Sequence, residues 1–231
     1  MSRPYAGRHR AYRRAGKRSV DLVVGSAVGL LTLPLLLVVA GLVRLRLGSP
    51  VLFRQERPGR DGKPFVLVKF RTMTDERDAS GALLPDEARL TPLGQKMRAL
   101  SLDEIPEVWN VVRGDMSLVG PRPLLMKYLP LYTSAQARRH DVRPGITGWA
   151  QVNGRNHAGW HDRLAMDTWY VDNLSPALDL RILAMTVSTV LRRHGINEEG
   201  RAAGATEFRG GVVQPEGGES SGPQPGGVAR A

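Results

Sequence analysis

Asp21-Leu22-Val23-Val24-Gly25-Ser26-Ala27-Val28-Gly29-Leu30-Leu31-Thr32-Leu33-Pro34-Leu35-Leu36-Leu37-Val38-Val39-Ala40-Gly41-Leu42-Val43-Arg44 decides the architecture. Residues 22–43 carry no charge and approach the roughly 20 residues that cross a hydrocarbon core. A cleaved signal peptide would have a shorter apolar stretch ending at small residues. Here the run leads into Arg44 and Arg46. Two features oppose a simple spanning helix. Pro34 lies inside the run, where it removes a backbone hydrogen bond. Basic residues flank both ends, which favours keeping both on the cytoplasmic side. A segment that enters, breaks near Thr32 and Pro34, and returns satisfies both, with Thr32 bonding the carbonyl that Pro34 frees. Asp21 would pair with an arginine at the interface. On these grounds alone, re-entrant and spanning readings both stay open.

The flanking chain fits a membrane surface. Net charge is +11, and Arg3, Arg8, Arg10, Arg13, Arg14, Lys17 and Arg18 precede the first acid. Beside a bilayer each contributes about 1 kcal/mol toward anionic headgroups. The competing reading is an arm that contacts RNA, but Tyr5 and Tyr12 are its only aromatics. The chain has no cysteine, which excludes disulfides and thiolate metal sites.

Beyond the run, two strands around 51–53 and 65–68 flank a Gly/Pro turn and form a hairpin ending at Lys69, Arg71 and Thr72. Residues 74–89 read as a mobile loop. Thr91-Pro92 opens a helix bearing Lys96 and Arg98. Residues 103–112 form a second short helix, with Ser101 or Asp103 near its N-cap and Pro106 in its first turn. Segments 165–171 and 178–191 read as helical. The latter has a stripe of Ile182, Leu183, Thr186, Val187 and Val190 that suits a core. From about residue 200 the composition is that of a disordered tail.

Ser101-Leu102-Asp103-Glu104-Ile105 carries the chemistry. Adjacent acids suit a metal and a nucleophile. Lys69, Arg71, Arg98, Arg113, Arg122 and Arg143 fall on or beside tight turns, where guanidinium and ammonium groups suit phosphate. With a membrane anchor, this points to an enzyme moving a phosphorylated group onto a lipid. Each arginine alone reads as a surface ion pair of little energetic weight. His157 and His161 have zinc-like spacing but lack the partner acid. Trp109, Trp149, Trp160 and Trp169 suit core or interface positions rather than base stacking, and no Walker-type loop occurs. The competing class is a non-catalytic basic scaffold binding anionic lipid or RNA.

Several stretches run in an order that resembles the bacterial sugar transferases, the polyprenyl-phosphate glycosyl-1-phosphate transferases. They are Lys69-Phe70-Arg71-Thr72-Met73, Ser101-Leu102-Asp103-Glu104-Ile105-Pro106, Trp109-Asn110-Val111, Gly114-Asp115-Met116-Ser117-Leu118-Val119-Gly120-Pro121-Arg122-Pro123, and Arg143-Pro144-Gly145-Ile146-Thr147-Gly148-Trp149-Ala150-Gln151-Val152-Asn153-Gly154-Arg155. The likeness covers about residues 17–196. It implies a monotopic enzyme of the inner membrane, with its catalytic domain on the cytoplasmic face and a re-entrant helix broken at Pro34. It also implies Mg²⁺, a UDP-sugar donor, an undecaprenyl-phosphate acceptor and no nucleic-acid partner; homo-oligomerisation stays open. Asp103 is then the catalytic nucleophile and Glu104 the catalytic metal ligand. Lys69, Arg71, Arg98, Asn110, Asp115, Arg122 and Arg143 are the substrate-binding candidates.

The implied fold is α+β: a basic arm (1–18), a re-entrant helix–break–helix (19–46), a mostly helical catalytic domain with a small β-hairpin and interfacial amphipathic helices (47–197), and a disordered tail (198–231). The chain lacks the additional N-terminal membrane helices of longer members and so resembles the minimal form. It departs from the family at Glu107, where Gln is usual. The extra acid either alters local charge or lies on the surface. The sugar (glucose, galactose or an N-acetylated hexosamine) and the glycan it enters stay open.

Overall fold

The computed structural model of the chain describes residues 12–153, 159–192, 208 and 210. After a short π-helical turn, Tyr12–Gly16, helix α1 runs over Lys17–Leu47. A hairpin follows, β1 (Leu52–Pro58) against β2 (Pro64–Phe70), in register from Leu52↔Phe70 to Pro58↔Pro64. Next come α2 (Asp86–Arg89), α3 (Pro92–Ala99) and α4 (Glu107–Arg113). Strand β3 (Ser117–Val119) pairs in parallel with β4 (Gly145–Thr147), and α5 (Ser134–Ala137) lies in the crossover between them. Helices α6 (Trp149–Asn153), α7 (Trp160–Asn173) and α8 (Pro176–Arg192) complete the domain. The mostly helical α+β reading and the hairpin hold. The β3–β4 pair was not anticipated, because three-residue strands carry no usable periodicity.

The expected helix–break–helix is one 31-residue helix with Pro34 inside it. A single proline removes one amide donor, and the apolar turns on either side sustain the helix. The Thr32 hydroxyl donates to Val28 O at 2.8 Å and Gly29 O at 3.4 Å, not to the carbonyl that Pro34 frees. By length and composition α1 is able to cross a membrane.

Both ends of α1 nevertheless dock on the same domain. Near its start, Arg18 donates to the carbonyls of Val111 (2.6 Å) and Val112 (2.7 Å), capping the C-terminal end of α4 with a cation. Among the described residues Asp21 pairs with no arginine. It is buried, and its Oδ1 accepts from Ser117 Oγ (2.9 Å) and the Leu118 amide (3.0 Å) at the head of β3. Lys17 joins Asp179 of α8 at 2.6 Å. Midway, Gly25 and Gly29 admit α4: a Cβ on Gly25 would lie 3.2 Å from Val111 Cγ1, and one on Gly29 3.4 Å from Val108 Cγ1. Near its end, Val39 and Val43 pack with Phe70 and Met97. The opposite side of α1 exposes Val23, Leu30, Leu31, Leu37 and Val38.

The main core joins Leu67, Val111, Met116, Val119, Tyr170 and Ile182. Trp109 is not in the core: 62% of its surface is exposed on α4. Trp149 and Trp169 stack at 4.9 Å. The α8 stripe is only partly core: Ile182 is buried, Thr186 bonds Thr147, and Val187 is exposed. Residues 74–89 are tied by bridges Met73↔Leu90 and Arg77↔Leu83 rather than left as an open loop. Most of the expected tail lies outside the described residues, as does His157. Phe208, however, is buried against Tyr128, Tyr132 and Trp160, so the tail reading fails at that residue.

Candidate active site

Four short segments converge on the acidic pair. Thr91 caps α3 by accepting from the Gly94 amide, with Pro92 at the first helical position, as its sequence dictates. Helix α3 carries Arg98. Ser101, at φ 54°, then turns the chain through the left-handed region into a 3₁₀ turn, Leu102–Glu104. The anticipated single helix over 103–112 is thus a 3₁₀ turn followed by α4, and neither Ser101 nor Asp103 caps α4. Strand β2 delivers Lys69 from one side. Strand β3 leads through Gly120 and Pro121 to Arg122 on the other.

Glu104 Oε1 is clamped by two cations: Lys69 Nζ at 2.7 Å and Arg122 Nη2 at 2.5 Å. Burial pushes the Glu104 carboxyl upward, but Arg122 and Lys69 outweigh it and hold it well below the usual carboxylate range. Asp103 is buried beside this clamp. Burial and then the Glu104 charge raise its pKa, against the pull of Lys69, Arg98 and Arg122. The surrounding cations oppose the upward shift without cancelling it. Arg98 donates from Nε to Thr72 Oγ1 at 3.1 Å, which fixes its side chain along α3.

Glu107 is the residue that the sequence reading placed least well. It does not lie on the surface: it is 2% exposed and sits 3.0 Å from Lys69 Nζ. Burial first, and then Glu104 competing for the same ammonium, push its pKa up to about 7 against the pull of Lys69. Its departure from the family pattern was the only signal in the chain that it mattered.

The other candidates have different partners among the described residues. Arg71 is buried and donates to the carbonyls of Leu47 and Ser49, and to Asp75 at 3.1 Å, pinning the exit of α1. Asn110 is buried; its amide donates to Val66 O at 2.7 Å, and its carbonyl oxygen accepts from the Val68 amide at 3.2 Å, locking α4 to β2. Asp115 accepts from Asn110 at 3.4 Å and lies 3.5 Å from Arg113. Arg143 donates to Gly114 O at 2.9 Å, just past the C-terminal end of α4, whereas the acidic pair precedes its N-terminal end.

Adjacent carboxylates at Asp103 and Glu104 suit Mg²⁺, a hard cation usually held by one or two protein carboxylates plus substrate phosphate and water. Among the described residues no group of three His, Asp or Glu side chains is arranged to hold a metal. An Mg²⁺ ion at Glu104 would complete its shell from donor phosphate and water.

Residues 12–193 match the bacterial sugar transferase family. The chain is 58% identical over 182 residues to an uncharacterized sugar transferase, EpsL, of Bacillus subtilis (strain 168), covering 79% of this chain and 90% of that one. It is 37% identical over 196 residues to the exopolysaccharide production protein ExoY of Rhizobium meliloti (strain 1021), covering 78% and 87%. It is 40% identical over 181 residues to a UDP-glucose:undecaprenyl-phosphate glucose-1-phosphate transferase of Klebsiella pneumoniae, covering 74% and 39%.

The raised pKa of Glu107 makes a signed prediction. The folded state keeps the proton more tightly than the unfolded state does. The stability that this contributes is present below the ordinary value of 4.5 and is lost as pH rises through about 7. Glu107→Gln removes the penalty while Lys69 keeps Glu104 as its partner. The variant should therefore gain on the parent as pH rises from 5 to 8, by roughly 1–3 kcal/mol at pH 8, with little difference near pH 4. Thermal unfolding across that range checks it.

Proposed function

The chain belongs to the bacterial sugar transferase family and is a phosphoglycosyl transferase; from that premise we propose that it moves a sugar 1-phosphate from a UDP-sugar to undecaprenyl phosphate. The observation that carries the reading is the buried Asp103 beside a half-buried Glu104, ringed by Lys69, Arg98 and Arg122. Relatives named for glucose-1-phosphate and N-acetylgalactosaminephosphate transfer share the polyprenyl acceptor and differ in the sugar. The donor sugar therefore stays open here among UDP-sugars. An ExoY relative named for exopolysaccharide production supports a place early in polysaccharide assembly.

In the mechanism we propose, an Asp103 carboxylate oxygen attacks the sugar-bearing phosphorus of the donor. The new O–P bond forms as the anhydride bond to UMP breaks, leaving an acyl-phosphate-linked sugar on Asp103. An oxygen of the lipid phosphate then attacks that phosphorus and the acyl-phosphate bond breaks. The products are undecaprenyl-diphospho-sugar and a free Asp103. Splitting one transfer into two displacements is the gain of covalent catalysis. Mg²⁺ held at Glu104 would supply charge neutralisation for the donor diphosphate and for departing UMP. Arg122 and Lys69 are already oriented toward an anion at Glu104, and Arg98 flanks Asp103, so phosphate oxygens meet preorganised cations. The proton balance is simple, because both attacking groups are anions.

We propose a monotopic placement on the cytoplasmic face of the inner membrane; the basic flanks of the apolar run favour that face, and the docking of α1 supports the monotopic part. A straight helix of 31 residues is about 46 Å long. Its two ends contact the same domain, through Asp21 and through Val43, while apolar residues between them are exposed. A spanning helix would require that domain to reach both membrane faces. A segment lying in one leaflet requires no such reach and leaves the exposed leucines in lipid.

Purified protein with Mg²⁺ and undecaprenyl phosphate should release UMP from at least one UDP-sugar in a panel. Asp103→Asn should abolish release, and Glu104→Gln should reduce it by about 10²-fold or more. Substantial release by Asp103→Asn would remove Asp103 as the nucleophile. Placement is tested with Arg14→Cys and Arg46→Cys, since the parent has no cysteine. Both positions should resist an impermeant thiol reagent outside intact cells and label after permeabilisation. Labelling of one position alone from outside would show a spanning helix.

A further inference from the structure

We propose that Arg139, fixed by Asp167, is a positioning residue that sets Arg122 for the donor phosphates. The inference rests on the reading of Arg122 as a phosphate ligand and extends it. Arg122 stands between Pro121 and Pro123, which have no N–H. The loop is therefore deprived of two of the amides that would normally anchor it. It is held by its carbonyls instead, three in succession. Pro121 O accepts from the Gly145 amide at 3.0 Å. Arg122 O accepts from Arg139 Nη2 at 2.6 Å, and Pro123 O accepts from Arg57 Nη1 at 3.3 Å. The first contact comes from β4, the second from the 3₁₀ turn Arg138–Asp141, and the third from β1.

The middle contact is the most strongly built. Arg139 is 2% exposed, and its Nε and Nη2 donate to Asp167 Oδ2 at 3.0 and 2.8 Å. Asp167 is itself buried on α7. The Tyr132 ring lies 5.8 Å from the guanidinium and bounds it on one side. A buried ion pair is a weak source of stability, because desolvation offsets attraction. What this pair does supply is direction. The carboxylate orients the guanidinium, and the guanidinium grips the backbone of the residue whose side chain reaches Glu104. The pair touches neither Glu104 nor Asp103 in the contacts described, so its effect on the reaction passes through Arg122.

A double-mutant cycle separates this from a merely structural role. The full chain is purified with Mg²⁺, and UDP is the probe, titrated calorimetrically against the parent, Arg122→Ala, Arg139→Lys and the double variant. Lysine keeps the charge but cannot grip Asp167 and the Arg122 carbonyl together. We expect Arg122→Ala and Arg139→Lys each to weaken UDP by about tenfold, and the double variant to bind within about twofold of Arg122→Ala. Parent-like binding by Arg139→Lys would overturn the proposal. So would an equal loss from Arg139→Lys in both backgrounds. If Arg122→Ala itself binds UDP as the parent does, the phosphate role of Arg122 fails, and the positioning role with it. Should Arg139→Lys lose its cooperative melt, Asp167→Asn takes its place in the same cycle under the same criteria.

Discussion

Helix α4 is held between the long apolar helix α1 and the acidic pair, and the rest of the molecule is arranged around that constraint. Its Val108 and Val111 press into the space that Gly25 and Gly29 leave on α1. Its C-terminal carbonyls are capped by Arg18 from the same helix. Its Asn110 takes both an amide and a carbonyl of β2. With α4 fixed on three sides, the 3₁₀ turn that precedes it has little freedom, and that turn carries Asp103 and Glu104. A side chain at Gly25 would push α4 outward and carry the acidic pair with it. The acidic pair is thereby tied to the apolar helix α1 without lying on it.

Charge explains why the pair is usable. Two adjacent carboxylates, one buried and one half-buried, repel, and each costs desolvation. Lys69 and Arg122 offset this at Glu104, and Lys69 is shared with Glu107. The cations are thus ordered before any phosphate arrives, and little reorganisation is needed when it does. The same arrangement leaves Glu107 with a raised pKa, because burial and the Glu104 charge outweigh the pull of the shared Lys69.

Local signals were legible in the sequence wherever the chain contacts itself nearby. The Thr91-Pro92 start, the hairpin turn and the apolar run all follow from residues within a few positions of one another. The acidic pair and its neighbours Lys69, Arg98 and Arg122 were also readable as a set. What escaped depends on distant pairing. Arg71 grips the Leu47 and Ser49 carbonyls, and nothing in the sequence shows them arriving beside it. Asp21 meets Ser117 across 96 residues, and Arg139 meets Asp167 across 28, with no periodicity to betray either. Phe208 was lost within a Gly/Pro-rich composition, though one aromatic suffices to fill a gap beside Tyr128 and Trp160. Pro34 was read as a break, yet the helix tolerates it.

The central claim is that Asp103 carries the sugar phosphate between donor and lipid. Intact-mass and peptide mass spectrometry of the protein with Mg²⁺ and each UDP-sugar, quenched before lipid is added, tests it most directly. The account predicts a mass gain of one sugar phosphate for the productive donor, located on Asp103 and discharged when undecaprenyl phosphate is supplied. An adduct on a different residue, or steady turnover with no adduct under any quench, would contradict it.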